Sequence, residues 1–214
     1  MAEPYAKNQA TSAEEAAKIV PRAEFRVFGK DVIEGVKEHM WKCKAQLFKA
    51  RVMPAETYVL SKKTDEANVK VRDGLLDIKT EVGTTPEGYE IFQPRGKFAF
   101  PVKRAELEVI LGHLGVKLEL GKDTYAFDEF CDLVRSAPEL ALVSVEKVRY
   151  GFSVNGVICE YAKVWFNGAL VESACCESED YGAMSAAVEA LGLAGQPNTN
   201  YLREGKRVIG WAKP

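Results

Sequence analysis

The sequence predicts an α+β domain built mostly from antiparallel hairpins, and three observations predict it. Two-residue turn signals, Asp73-Gly74 and Asn167-Gly168, each join short β-prone runs. Two central segments, VKRAELEVILGHLG and FDEFCDLVRSAP, carry apolar residues at helical spacing. No internal repeat or low-complexity segment interrupts the 214 residues, whose 47% apolar content is enough for one sizeable core.

Taken in order, residues 1–20 are polar and Ala-rich and read as a loose tail or a peripheral helix, which leaves 21–214 as the domain. AEFRVFG reads as a strand. Asp31 and Glu34 form a capping-box pattern for a helix with Val32, Ile33, Val36 and Met40 on one side. LFKARVM and ETYVLSKK read as two strands separated by Pro54, and NVKVRDGLLDIKTE as a hairpin. EIFQPRGKFAFPV reads as a strand broken at Pro94. In the first central helix Leu107, Ile110, Leu111 and Leu114 share a face; in the second, Phe127, Phe130 and Val134 do, with Pro138 as the stop. ALVSVEKVRYGFSV, VICEYAKVWF and ALVESACCESE are strands. Asp180 suits the N-cap of a helix running to Leu191 and ended by Gly192, and KRVIGW reads as a closing strand.

Composition removes several classes of function. Net charge is −2, from 29 basic and 31 acidic residues, so no nucleic-acid partner held by bulk charge is expected and any cationic site must be local. No apolar run is long enough for a bilayer span and MAEPYAKNQATSAEE is not a secretory signal, so no membrane partner and a cytoplasmic location are expected. The five cysteines, Cys43, Cys131, Cys159, Cys175 and Cys176, form no CxxC pair and read as free thiols. His39 and His113 both fall in helices, which speaks against a Ser-His-Asp or His-rich metal site.

The charges are distributed unusually. Side chains alternate across a strand, so Lys70 and Arg72 share one face while Val69 and Val71 share the other. In the partner run Asp77 and Lys79, which could pair with each other, lie opposite Leu76 and Ile78. Lys147 with Arg149, Glu177 with Glu179, and Glu24 with Arg26 repeat the pattern. Glu160 stands on the face of Ile158, Ala162 and Val164, a costly place for a carboxylate without a partner. Two arrangements satisfy this spacing. An ordinary sandwich puts the apolar faces together and the charges in water. A closed sheet with helices outside puts the charges in its lumen, where they need partners or a ligand.

The run NVKVRDG followed by LLDIK, the later basic strand EKVRYGF, the Glu-bearing ICEYA and the acidic ESACCESED come in an order that resembles the CYTH domain of the triphosphate tunnel metalloenzymes, over residues 22 to 204. That family includes thiamine triphosphatase, inorganic triphosphatases and class IV adenylyl cyclases. The resemblance implies an antiparallel eight-stranded β-barrel, a tunnel, with helices packed outside. It implies a phosphohydrolase acting on inorganic or small organic triphosphate, and it allows a homodimer. It assigns phosphate binding to Arg26, Lys70, Arg72, Lys79, Lys147 and Arg149, and Mg2+ or Mn2+ binding to Glu24, Glu160, Glu177 and Glu179. The family's ExExK strand departs here to Arg22-Ala23-Glu24-Phe25-Arg26. Arginine replaces the first glutamate, which favours an anion in the lumen over a cation. A non-catalytic barrel that binds polyphosphate or a nucleotide is therefore the alternative to the triphosphatase. An adenylyl cyclase is weaker, since nothing marks a nucleobase pocket, and a hydrophobic-ligand barrel should not carry this many lumen charges.

Overall fold

The computed structural model describes residues 9–211; the first eight residues of the expected tail lie outside them. The chain runs α1 (Ala13–Ala17), β1 (Arg22–Gly29), α2 (Val32–Lys42), β2 (Gln46–Ser61), β3 (Thr64–Arg72), β4 (Leu75–Thr84) and β5 (Glu90–Ala99). It continues through β6 (Val102–Lys103), α3 (Arg104–His113), β7 (Thr124–Tyr125), α4 (Phe127–Ser136), β8 (Leu140–Val154), β9 (Val157–Phe166), β10 (Ala169–Ser178), α5 (Tyr181–Ala190) and α6 (Tyr201–Val208). Eight antiparallel strands form a ring in the order β1-β10-β9-β8-β2-β3-β4-β5, and β1 joins its ends by pairing with both β10 and β5. The expected α+β ring with helices outside is what forms. No helix among the described residues is long and apolar enough to cross a membrane.

Local chemistry explains the tight corners. Asp73 and Gly74 sit at φ 55° and 75°, and Asn167 and Gly168 at 47° and 85°, the paired positive angles of a two-residue hairpin turn. The outer face of the ring is apolar. Phe25, Val27, Cys159 and Cys176 are buried under Ile33, Val36 and Met40 of α2 and Met184, Ala187 and Val188 of α5. Val69, Val71, Leu76 and Ile78 are buried under Leu107, Ile110 and Leu111 of α3 and Phe130 and Val134 of α4. The charged faces therefore turn inward, and the solvated-face arrangement is excluded.

Four local expectations are corrected. Pro54 does not separate two strands: β2 is continuous, and the proline falls where its register with β8 shifts, between Met53 and Glu56. Pro94 likewise stays within β5, beside a register shift that pairs Ile78 with Gly96 and Lys79 with Pro94. Asp31 adopts a left-handed conformation without a side-chain cap, so the capping box with Glu34 does not form. The Ile33 amide donates to Glu172 of β10 instead, at 3.0 Å. Last, KRVIGW is not a strand. Asn200 caps α6 by accepting from the Leu202 and Arg203 amides, each at 3.0 Å, and the helix carries this segment into one end of the ring.

That helix stoppers the barrel. Leu202 and Tyr201 pack on Tyr58, Leu60, Val143, Val145, Val164 and Phe166, all facing inward. Asn200 also donates to the buried Glu90 at 3.2 Å. An Asn200→Ala variant loses the cap, at a cost of about 1 kcal/mol, and leaves Glu90 short of a donor. A fall in Tm of several degrees is the expected result, read by thermal denaturation followed by circular dichroism.

Candidate functional site: a charged blind lumen

From the open end to the plug, the inward residues of β1 are Arg22, Glu24, Arg26 and Phe28, and the side chains of the first three are 44%, 23% and 5% exposed. The lumen thus grades from wet and charged to dry and apolar. A cavity of about 280 Å3 at the open end is rimmed by Ala16, Ile19 and Val20 and continues past Arg22, Arg72, Lys79 and Glu177. A deeper cavity of about 110 Å3 reaches Arg26, Tyr58, Lys70, Lys147, Arg149 and Tyr201. The two share Glu24, Arg72, Lys79, Phe92 and Glu177, so they form one blind channel.

All six expected phosphate-binding residues, Arg26, Lys70, Arg72, Lys79, Lys147 and Arg149, line this channel. Their partners decide what the site can do. On one wall, Glu56 of β2 is 1% exposed and serves three cations. Lys147 Nζ stands 2.7 Å from it, Lys70 Nζ 3.7 Å and Arg72 3.6 Å. The Tyr58 hydroxyl accepts from Lys147 at 3.0 Å and from Lys70 at 3.4 Å. Arg72 also donates to Asp77 at 3.1 Å, so Asp77 pairs with arginine rather than with its neighbour Lys79. The Lys79 side chain lines both cavities and makes no hydrogen bond or ion pair among the described residues. Next to this wall around the ring, Glu160 of β9 takes Arg149 of β8, with Arg26 at 3.8 Å. At the floor Lys147 lies 4.4 Å and Arg26 4.7 Å from the Tyr201 ring centre, contacts that help hold desolvated cations.

The titration behaviour follows from this crowding. Burial, with Lys70 and Arg149 nearby, pushes Lys147 down to about 7 although Glu56 acts the other way. Burial also lowers Lys70. Burial would raise Glu56, but Lys70 and Lys147 outweigh it and hold the carboxyl at about 2. This wall therefore holds cations that are not all comfortable as cations.

The four acids expected to bind a divalent metal also face the lumen, but each is held by arginine. Glu24 accepts from Arg26 at 2.7 Å and Glu160 from Arg149. Arg22 reaches Glu177 at 3.2 Å and Glu179 at 3.1 Å. Among the described residues no three Asp, Glu, His or Cys side chains gather where a metal ion could be held. As arranged, these residues do not fit Mg2+ or Mn2+.

Sequence reasoning missed Glu56, Tyr58 and Tyr201. Glu56 carried the same signal as Glu160, a carboxylate sharing a strand face with apolar Tyr58 and Leu60, but the reading of Pro54 as a break obscured it. Tyr201 had no signal, because its helix read as a strand.

No family model and no curated protein matches the chain. Solved structures do. A candidate adenylyl cyclase from Hippeastrum, with a dominant triphosphatase activity, is 12% identical over 87% of this chain and 96% of its own, with a TM-score of 0.46. A candidate adenylate cyclase from Bacillus halodurans is 13% identical over 87% of this chain and 98% of its own, at 0.43. A conserved protein of unassigned role from Pyrococcus furiosus is 13% identical over 85% and 98%, at 0.48. Likenesses at this level carry no weight for activity.

Proposed function

We propose that the lumen binds an oligophosphate, inorganic or the triphosphate end of a small molecule, through its basic wall. One observation carries the reading: Lys70, Arg72 and Lys147 converge on the buried Glu56, Asp77 adds one more carboxylate on Arg72, and the Lys79 side chain beside them makes no hydrogen bond or ion pair among the described residues. A buried excess of cations is costly until an anion neutralises it, and a chain of phosphates offers several charged oxygens to a narrow channel. The order of NVKVRDG, LLDIK and EKVRYGF, which resembles the CYTH pattern, supports the same ligand. Arg72 and Arg149 would turn part of their planar forks from Glu56, Asp77 and Glu160 towards a phosphate, while Lys79 and Lys147 act as point charges.

Hydrolysis in the same channel is the second reading. It is favoured by the buried Glu160 Oε1, which makes no hydrogen bond among the described residues and has the Arg26 guanidinium 3.8 Å away. Adenylyl cyclase chemistry has no corresponding observation.

Calorimetric titration of the purified protein with tripolyphosphate tests the reading, with phosphate release followed on the same samples. Binding is expected, together with a stabilisation of roughly 2.7 kcal/mol at a hundredfold excess over Kd. Lys79→Met should weaken it about tenfold, the scale of one charge-assisted contact. Absence of heat and of any Tm shift would sink the proposal, and steady phosphate release would favour the second reading.

A further inference from the structure

The open end of the lumen poses a charge problem. Glu24 and Glu177 are directly opposite on the paired strands β1 and β10, and Glu179 lies one alternation beyond. Like charges so placed repel unless something positive stands among them. Two arginines of β1 supply it. Arg26 holds Glu24 from the inside, and Arg22 reaches Glu177 through Nη1 and Glu179 through Nε from the outside. The guanidinium of Arg22 thus makes two contacts to two different carboxylates, as a bridging cation would.

We propose that Arg22 is a built-in cation standing where a divalent metal would otherwise be required, so that the lumen takes its anion without metal and a metal site appears when Arg22 is removed. The geometry has two consequences. The carboxylates of Glu177 and Glu179 are occupied, so the wild-type lumen offers a free Mn2+ ion little. With glutamate at position 22, three or four carboxylates would face one another at a half-open mouth, an oxygen-rich set suited to a hard divalent cation. The metal half of the proposal concerns this chain's own residues; the anion half rests on the oligophosphate reading above.

The test uses the full chain and three proteins: wild type, Arg22→Glu and Arg22→Gln. Mn2+ alone is titrated by electron paramagnetic resonance, and Tm is recorded with EDTA and with Mn2+. Arg22→Glu should bind Mn2+ at least about tenfold more tightly than wild type, following its added ligand charge, and should show the largest rise in Tm with Mn2+, while Arg22→Gln, which frees Glu177 and Glu179, should bind Mn2+ more tightly than wild type and less tightly than Arg22→Glu. Arg22 is half exposed, and Arg22→Gln removes the cation without adding charge, so a folding failure of one variant leaves the other to decide. Tripolyphosphate should bind wild type no more tightly with Mg2+ than with EDTA. Mn2+ binding by wild type equal to that of Arg22→Glu overturns the proposal, as does tripolyphosphate binding that requires Mg2+. If wild type binds tripolyphosphate under neither condition, the oligophosphate reading fails, while the Mn2+ comparison still decides the role of Arg22.

Discussion

Glu56→Gln should destabilise the protein by roughly 3–5 kcal/mol near pH 6, the cost of breaking a buried ion pair from one side, with a Tm lower by on the order of 10 °C. The residue is 1% exposed, and the glutamine would leave Lys70, Arg72 and Lys147 around a neutral amide. The size of the effect should depend on pH in a specific sense. Lys147 titrates at about 7 in the wild type with Glu56 holding its proton on; above that value the wild type too loses this ion pair, so the variant should lose less at pH 8.5 than at pH 6. The wild type has its own acid limit. The carboxyl of Glu56 is held at about 2 in the fold against an ordinary 4.5, so its contribution is present above 4.5 and is lost as pH falls towards 2. Tripolyphosphate should raise the Tm of Glu56→Gln more than that of wild type, because the ligand replaces the missing charge. Chemical denaturation at the two pH values, with and without tripolyphosphate, checks all of this. A variant as stable as wild type at pH 6 would mean that Glu56 does not organise the wall.

How far the sequence already contains this picture can be judged from particular residues. The alternation of Lys70 and Arg72 against Val69 and Val71, and of Lys147 and Arg149 against Val148 and Tyr150, is legible without a structure. Which face turns inward is not. Spacing alone is the same for a sandwich and a ring, and the decision lies in long-range pairing, β1 with both β10 and β5, and in helices α2 to α5 covering the apolar side. The amphipathic helices and both glycine turns were readable because their signals are local. Pro54 and Pro94 misled because a bulge can absorb a proline that would otherwise end a strand. The segment after Asn200 misled because Val208 and Ile209 favour a strand locally, whereas the Asn200 cap and burial of Tyr201 and Leu202 decide for a helix. The membership of the lumen was therefore largely readable, while the pairing within it was not. That Glu177 and Glu179 are held by Arg22, and not left open for a metal, depends on a cross-strand geometry that no short motif encodes.

Oligophosphate affinity should fall as pH rises above about 7, by up to about tenfold for each pH unit. The cause is Lys147. In the free protein it is about half protonated at pH 7, far below the ordinary 10.5 of lysine, because burial and its neighbours Lys70 and Arg149 disfavour its charge. Glu56 and the Tyr58 hydroxyl face it from β2, Lys70 from β3 and the Tyr201 ring from α6, and of these Glu56 favours the charge. An incoming phosphate adds negative charge to the same space and raises the lysine's pKa, so binding above pH 7 must draw in a proton. Calorimetry at pH 8 in two buffers of different ionisation enthalpy should show uptake approaching one proton. Arg26 and Arg149 are both raised above the ordinary arginine value and keep their charge, so binding weakens without vanishing. Lys147→Met should bind at pH 7 about as weakly as the wild type does at high pH, with the slope above 7 gone. The same slope in Lys147→Met as in wild type would place the titrating group elsewhere and remove Lys147 from the proposed phosphate site.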